Sequence, residues 1–150
     1  MAFCPLYRPM NSRRLARELA LKVLYRHAIN PVDSAQAMSS LDDPDLARAD
    51  VAYFKQLVTH IFANLSALDD TLSAYLDRPL TNISPVELAI LRIAASELSL
   101  DNTVPYRVII NESIELAKRY GGTDGYKYVN GVLDKLALAT RGDEVKVRNH

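Results

Sequence analysis

Arg13, Arg14 and Arg17 stand close together near the start of the chain, and Tyr25 follows them. On a helix the three arginines occupy about 100° of arc, beside the apolar face, and Tyr25 lies on the same side two to three turns further along. A guanidinium forks onto phosphate oxygens and stacks on bases, and a tyrosine ring offers a second stacking surface. This flank therefore has the composition of an RNA-binding strip, with a solvated charged face as the competing reading. The charge distribution favours an anionic partner at this end. Through Asn30 there are six basic residues (Arg8, Arg13, Arg14, Arg17, Lys22, Arg26) and one acid, Glu18, a net +5 that the remaining 120 residues cancel, since the whole chain is formally neutral.

A second group is Gly121-Gly122-Thr123-Asp124-Gly125. A glycine-rich turn entering a helix can offer backbone N–H groups to an anion, although a plain connector has the same composition. Asp124 would repel a phosphate unless it accepts instead from a base edge or a ribose. Elsewhere the chemistry is sparse. His27, His60 and His150 are far apart with no carboxylate or cysteine at ligand spacing, so no metal site is expected. His27 falls on the apolar side of its helix and reads as a packed histidine. Asp42/Asp43 and Asp69/Asp70 read as loop and helix-surface charges. No nucleophile elbow, phosphate-binding Walker loop or dinucleotide fingerprint occurs. No catalytic residue and no cofactor is expected, and an enzyme is not.

The elements that must position these groups are helical. Of 150 residues, 49% are hydrophobic, enough for one domain with a real core. The single cysteine, Cys4, permits no disulfide framework within one chain, which fits a reducing cytoplasm. Neither a signal peptide nor a membrane-length apolar run is present. Residues 1–11 read as a flexible lead, 12–140 as the folded domain and 141–150 as a frayed tail. The first helix starts at Ser12 with Leu15, Ala16, Leu19, Ala20, Val23 and Leu24 as its core face, and Asn30-Pro31 ends it. Asp33 can cap a short successor through Met38. Leu41 to Asp45 reads as a loop. From Leu46 to Leu76 one apolar stripe persists for about 48 Å if unbroken, too long for a small domain, so a break is expected between Asn64 and Ser66. Ser84-Pro85-Val86-Glu87 forms a capping box with proline at the first helical position, opening a helix that is apolar on much of its circumference and therefore central.

Two further helices flank the glycines. Tyr106, Ile109, Ile110, Ser113, Ile114, Leu116, Ala117 and Tyr120 share one face, with Pro105 in the first turn and Gly121-Gly122 as a left-handed stop. Tyr126, Val129, Val132, Leu133 and Leu136 share the next, capped by Thr123 or Asp124. Asn130-Gly131 is a strong hairpin signal, but the helical period of its neighbours overrides it. No strand pattern is found.

Several of these blocks, in their order and spacing, resemble the NusB transcription antitermination family. They are Arg13-Arg14-Leu15-Ala16-Arg17-Glu18 with Val23-Leu24-Tyr25; Tyr53-Phe54; Val86-Glu87 with Leu91-Arg92-Ile93-Ala94 and Glu97-Leu98; Val104-Pro105-Tyr106 with Ile110-Asn111-Glu112; Glu115-Leu116-Ala117-Lys118; and Tyr128-Val129-Asn130-Gly131-Val132-Leu133-Asp134-Lys135. The likeness runs from about Ser12 to Leu136. It implies an all-α fold, a single compact domain of about seven helices in two packed three-helix groups. It also implies a non-enzymatic role: binding boxA RNA of nascent ribosomal RNA transcripts with NusE, a small ribosomal subunit protein, within a complex of other Nus factors on RNA polymerase.

Carried over by position, the RNA-binding strip corresponds to Arg13, Arg14 and Arg17 with Tyr25, and further RNA contacts fall on Asp124, Lys127 and Tyr128. Tyr75 and Glu87 are the positions implied for NusE or shared contact. Leu15 interrupts what can be a longer basic run in the family, and the residues ahead of Ser12 exceed what its motif requires. Two other readings compete: the NusB-like accessory domain of a ribosomal RNA methyltransferase, against which stands the lack of a cofactor-binding domain after Leu136, and a purely structural helical module. If the glycine junction packs beside the first helix, Asp124 and Tyr128 would share one surface with Arg14 and Arg17.

Overall fold

A computed structural model describes residues 12–100 and 104–148. Expectations for the lead 1–11, with Cys4 and Arg8, for the turn at 101–103 and for His150 lie outside the described residues. The elements are α1 (Ser12–Ile29), α2 (Ser34–Ser39), a 3-10 turn (Pro44–Ala47), α3 (Val51–Ala63), α4 (Leu65–Ser73), a second 3-10 turn (Leu80–Asn82), α5 (Pro85–Leu100), α6 (Tyr106–Tyr120), α7 (Gly125–Thr140) and α8 (Gly142–Arg148). All regular structure among the described residues is helical, with eight α-helices where about seven were expected. Helices α1, α2 and α3 pack mutually, as do α5, α6 and α7, and α5 joins the groups by also receiving α1, α3 and α4. Its apolar circumference follows from that position, with Ile90, Leu91, Ile93 and Ala94 almost wholly buried.

Short-range chemistry sets most boundaries. The Asp33 carboxylate accepts from the Gln36 N–H at 2.8 Å to start α2. At the start of α5 the Glu87 N–H donates to Ser84 Oγ at 3.2 Å while that hydroxyl donates to Glu87 Oε2 at 2.8 Å. The long stripe breaks at Asn64, whose side-chain amide donates to the His60 carbonyl at 2.9 Å and so competes with the helical ladder. Its start is later than the stripe predicts. Pro44 opens a 3-10 turn that takes in Leu46, and α3 begins only at Val51, where Asp50 accepts from the Tyr53 N–H. Asn130 and Gly131 lie within α7, as the helical period requires.

Three expectations are corrected around α6 and the tail. Pro105 is extended and precedes the first turn of α6 (φ −60°, ψ 144°). No glycine among the described residues is left-handed; Gly121 is extended, and its glycine is required by close approach, because a Cβ there would lie 2.7 Å from the Ala117 carbonyl oxygen. The tail does not fray where it is described. Arg141 is buried and donates to the carbonyls of Leu98, Val104 and Glu97, and Glu144 accepts from the Tyr106 N–H at 3.0 Å, which fixes α8 against the start of α6.

Candidate nucleic-acid interface

The three arginines of α1 divide. Arg13 is exposed, with its guanidinium 4.6 Å from the centroid of the Tyr53 ring and 3.8 Å from Asp50. Arg14 is half-exposed and makes a bidentate pair with Glu112 of α6, its Nε and Nη2 donating at 2.8 and 2.9 Å. Arg17 departs from the surface strip expected of it. Its side chain is 5% exposed and both forks donate to Glu97 of α5, at 2.6 and 2.8 Å. The cause is packing: α1 is covered by α3 and α5, and this part of its flank meets Glu97 and Tyr53 and not solvent. Burial pulls the Arg17 pKa down, but hydrogen bonding and charge from Glu97 outweigh it, and the net shift is upward. The Tyr53 hydroxyl completes the cluster by donating to Glu97 at 2.6 Å, and burial followed by the Glu97 charge raises the phenol well above its ordinary range.

Further along, long ion-pairing side chains bridge α1 and α6. Arg119 donates to the buried Glu18 carboxylate at 2.5 Å. Together with Arg14, Glu112, Glu115, Leu116 and Lys118 these residues line a groove of about 240 Å³. Lys22 donates to Asp43 at 2.7 Å. Beyond it Tyr25, 40% exposed, lines an apolar slot of about 180 Å³ with Leu21, Lys22, Val86 and Tyr120.

Tyr120, which immediately precedes the glycine junction, lines this slot with Lys22 and Tyr25 of α1, while the far end of the junction meets α5. Gly125 faces Glu87 so closely that a Cβ would fall 1.8 Å from Glu87 Oε1. Asp124 occupies the cap position of α7 without a side-chain capping bond; it is exposed, with Lys127 Nζ at 3.4 Å. Tyr128 is half-buried. The Arg78 guanidinium lies 4.4 Å from its ring centroid, and its buried hydroxyl, next to Asp77, has no partner within hydrogen-bonding distance among the described residues. Burial, and then the Asp77 charge, raise the Tyr128 phenol. Tyr75, just beyond the end of α4, is half-buried against the core, and Glu87 serves the α5 cap.

Arg14 thus belongs to the groove that α1 forms with α6, with Arg13 beside it on Tyr53, whereas Asp124, Lys127 and Tyr128 stand together at the start of α7. From Arg14 to Tyr25 the α1 axis advances about 16 Å, and Arg119, Lys22 and Tyr120 fill the interval. Arg119 and Lys118 were not among the expected site residues, although basic residues opposite the apolar stripe of α6 were a usable signal. Arg78 was not expected either, and nothing in its surroundings in sequence pointed to Tyr128. Glu97 and Glu112 were absent from the expected site because their partners lie 80 and 98 residues away.

A family profile described as the NusB family matches residues 14–138. The chain is 54% identical over 134 residues to the transcription antitermination protein NusB of Methylobacillus flagellatus, covering 89% of this chain and 87% of that protein. It is similar to the solved structure of T. maritima NusB, with TM-score 0.78, 32% identity, and 89% and 96% of the two chains covered. It is also similar to a chain in the crystal structure of antitermination factors NusB and NusE in complex with dsRNA, with TM-score 0.72, 26% identity, and 87% and 98% covered.

Proposed function

The chain belongs to the NusB family of transcription antitermination factors, which bind RNA and are not enzymes, and from that premise we propose that it binds boxA RNA of nascent ribosomal RNA transcripts together with NusE. In this reading it joins other Nus factors on RNA polymerase in the cytoplasm and supports processive transcription. What supports the proposal is the run of cations and aromatic rings offered by the α1–α6 groove and its neighbouring slot, Arg14, Arg119, Lys22, Tyr25 and Tyr120, with Arg13 beside them, and by the Arg78–Tyr128 pair next to Lys127. A relative crystallised with NusE and RNA supports the choice of partners. Among the described residues no helix is long and apolar enough to cross a membrane.

Exposed cations anchor the phosphates, giving affinity that falls with salt at a slope of roughly −0.7 per neutralised phosphate on a single strand. Sequence preference comes from splayed bases stacked on the tyrosines or on the Arg78 plane, with Asp124 accepting from a base edge or ribose. Arg17 supports the strip from below by fixing α1 on α5. Tyr75 and Glu87 stand near the Arg78 end, where NusE is proposed to bear on the protein.

The test is binding to a boxA-like RNA and a scrambled RNA, with and without NusE, at two salt concentrations. Tighter binding to the boxA sequence, strengthened by NusE and weakened by salt, is expected. Equal affinity for both RNAs under every condition would overturn the reading.

A further inference from the structure

We propose that Glu112 is a built-in phosphate mimic: its carboxylate occupies the fork of Arg14, and RNA binds this groove by exchanging a backbone phosphate for that carboxylate. The inference rests on the RNA-binding reading of the strip and concerns its affinity. The side-on edge of Arg14, Nε with Nη2, is already taken by Glu112 at 2.8 and 2.9 Å, in the parallel geometry that phosphate and carboxylate share. Arg14 is half-exposed and Glu112 keeps 17% of its side chain in solvent, so this pair opens at less cost than the neighbouring one, in which Arg119 holds a Glu18 carboxylate that is only 4% exposed. Abandoning Glu18 would strand a buried charge, which confines the exchange to Arg14.

The groove is also balanced. Arg14, Lys118 and Arg119 face Glu18, Glu112 and Glu115, so it presents no net charge to a passing polyanion despite its arginines. On exchange the freed Glu112 carboxylate stands beside the incoming phosphate and draws back a cation. That uptake subtracts from the counterion release that drives binding. Glu112 thus lowers affinity and flattens the salt dependence, and both effects act through Arg14.

Glu112→Gln keeps the shape of the side chain and removes its charge. It should tighten binding of boxA-like and scrambled RNA alike, roughly two- to fivefold, the range expected from releasing an exposed ion pair, and steepen the salt slope by up to about 0.7. Glu115→Gln removes the same charge from the same groove but leaves the Arg14 pair intact, and should change binding much less. In an Arg14→Ala background the gain from Glu112→Gln should vanish. An unchanged affinity, an equal gain from Glu115→Gln, or a gain that survives loss of Arg14 would each overturn the exchange. If the glutamine variant melts well below the wild type, Glu112→Asp reads the same exchange, because the shortened carboxylate holds Arg14 less well and an intermediate gain is expected. Because the ratio of variant to wild type can be read on the scrambled RNA alone, failure of boxA preference and failure of the exchange give different results.

Discussion

Replacing Arg17 and Arg14 by alanine should separate two kinds of arginine that lie one turn apart on α1. Among the described residues, Arg17→Ala leaves the Glu97 carboxylate, 1% exposed, with only the Tyr53 hydroxyl for a side-chain donor. Breaking a buried pair in this way costs about 3–5 kcal/mol, to be read as a lowered urea midpoint. A loss below about 1 kcal/mol would mean that Glu97 is otherwise neutralised. Arg14→Ala removes a half-exposed pair and should change stability by less than about 1 kcal/mol, while weakening RNA binding and flattening its salt slope by less than about 0.7, since Glu112 offsets part of the release at Arg14. The sequence placed both residues on one flank, and that was correct as helical geometry. What it lacked was the identity of the opposing surface, since Glu97 reaches Arg17 only when α5 packs on α1. An arginine beside a core face is a surface cation or a buried counter-ion depending on a residue 80 positions away.

At the scale of elements, the Lys22–Asp43 pair ties α1 to the 3-10 turn Pro44–Ala47. The hydrogen bond from Lys22, and then the one from the Asp45 N–H, hold Asp43 below its usual carboxylate range; the hydrogen bond to Asp43 raises Lys22. A depressed carboxylate contributes stability that is present above its unfolded value, about 3.9, and is lost as pH falls through the lower folded value. A raised lysine contributes stability that is present below about 10.4 and is lost as pH climbs through the higher folded value. Asp43→Asn keeps an oxygen that can cap the turn but removes the charge. It should cost about 0.5 kcal/mol at a constant level between roughly pH 5 and 9, given the partial exposure of Lys22. The deficit relative to wild type should shrink at both extremes in denaturation curves recorded across pH; a deficit independent of pH would assign it to packing. Elements whose ends are governed by nearby residues were the legible ones: the Asp33 cap, the Ser84 box and the Asn64 break all act within four residues. The α8 helix was not legible, because Arg141 is fixed by carbonyls from Leu98 and Val104, and a tail rich in charge looks frayed until those acceptors are in place.

Over the whole molecule, the +5 charge of the first thirty residues was visible in the chain, but its neutralisation was not. Glu112 meets Arg14 across 98 positions and Arg119 meets Glu18 across 101, so a basic terminus becomes a balanced groove only in the folded state. The expected union of Arg14 with Tyr128 is likewise modified: Arg14 pairs with Glu112 of α6 while Tyr128 meets Arg78, and the proposed strip runs between these two contacts. If one RNA spans that strip, the two ends should contribute separately and in different ways. Arg14→Ala removes a phosphate anchor and should weaken both RNAs with a shallower salt slope. Tyr128→Leu removes a ring on which a base can stack directly or through Arg78, worth about 1–3 kcal/mol per base, and should reduce the preference for the boxA sequence while leaving the slope unchanged. Sites more than about 7–10 Å apart that share no partner add to within about 0.5 kcal/mol. The double variant should therefore lose the sum of the two binding free energies, measured at fixed salt with melting curves to confirm folding. A double variant no weaker than the worse single one would mean that RNA engages one end of the strip at a time, and the α1–α6 groove would then be an alternative site to the Tyr128 end and not its continuation.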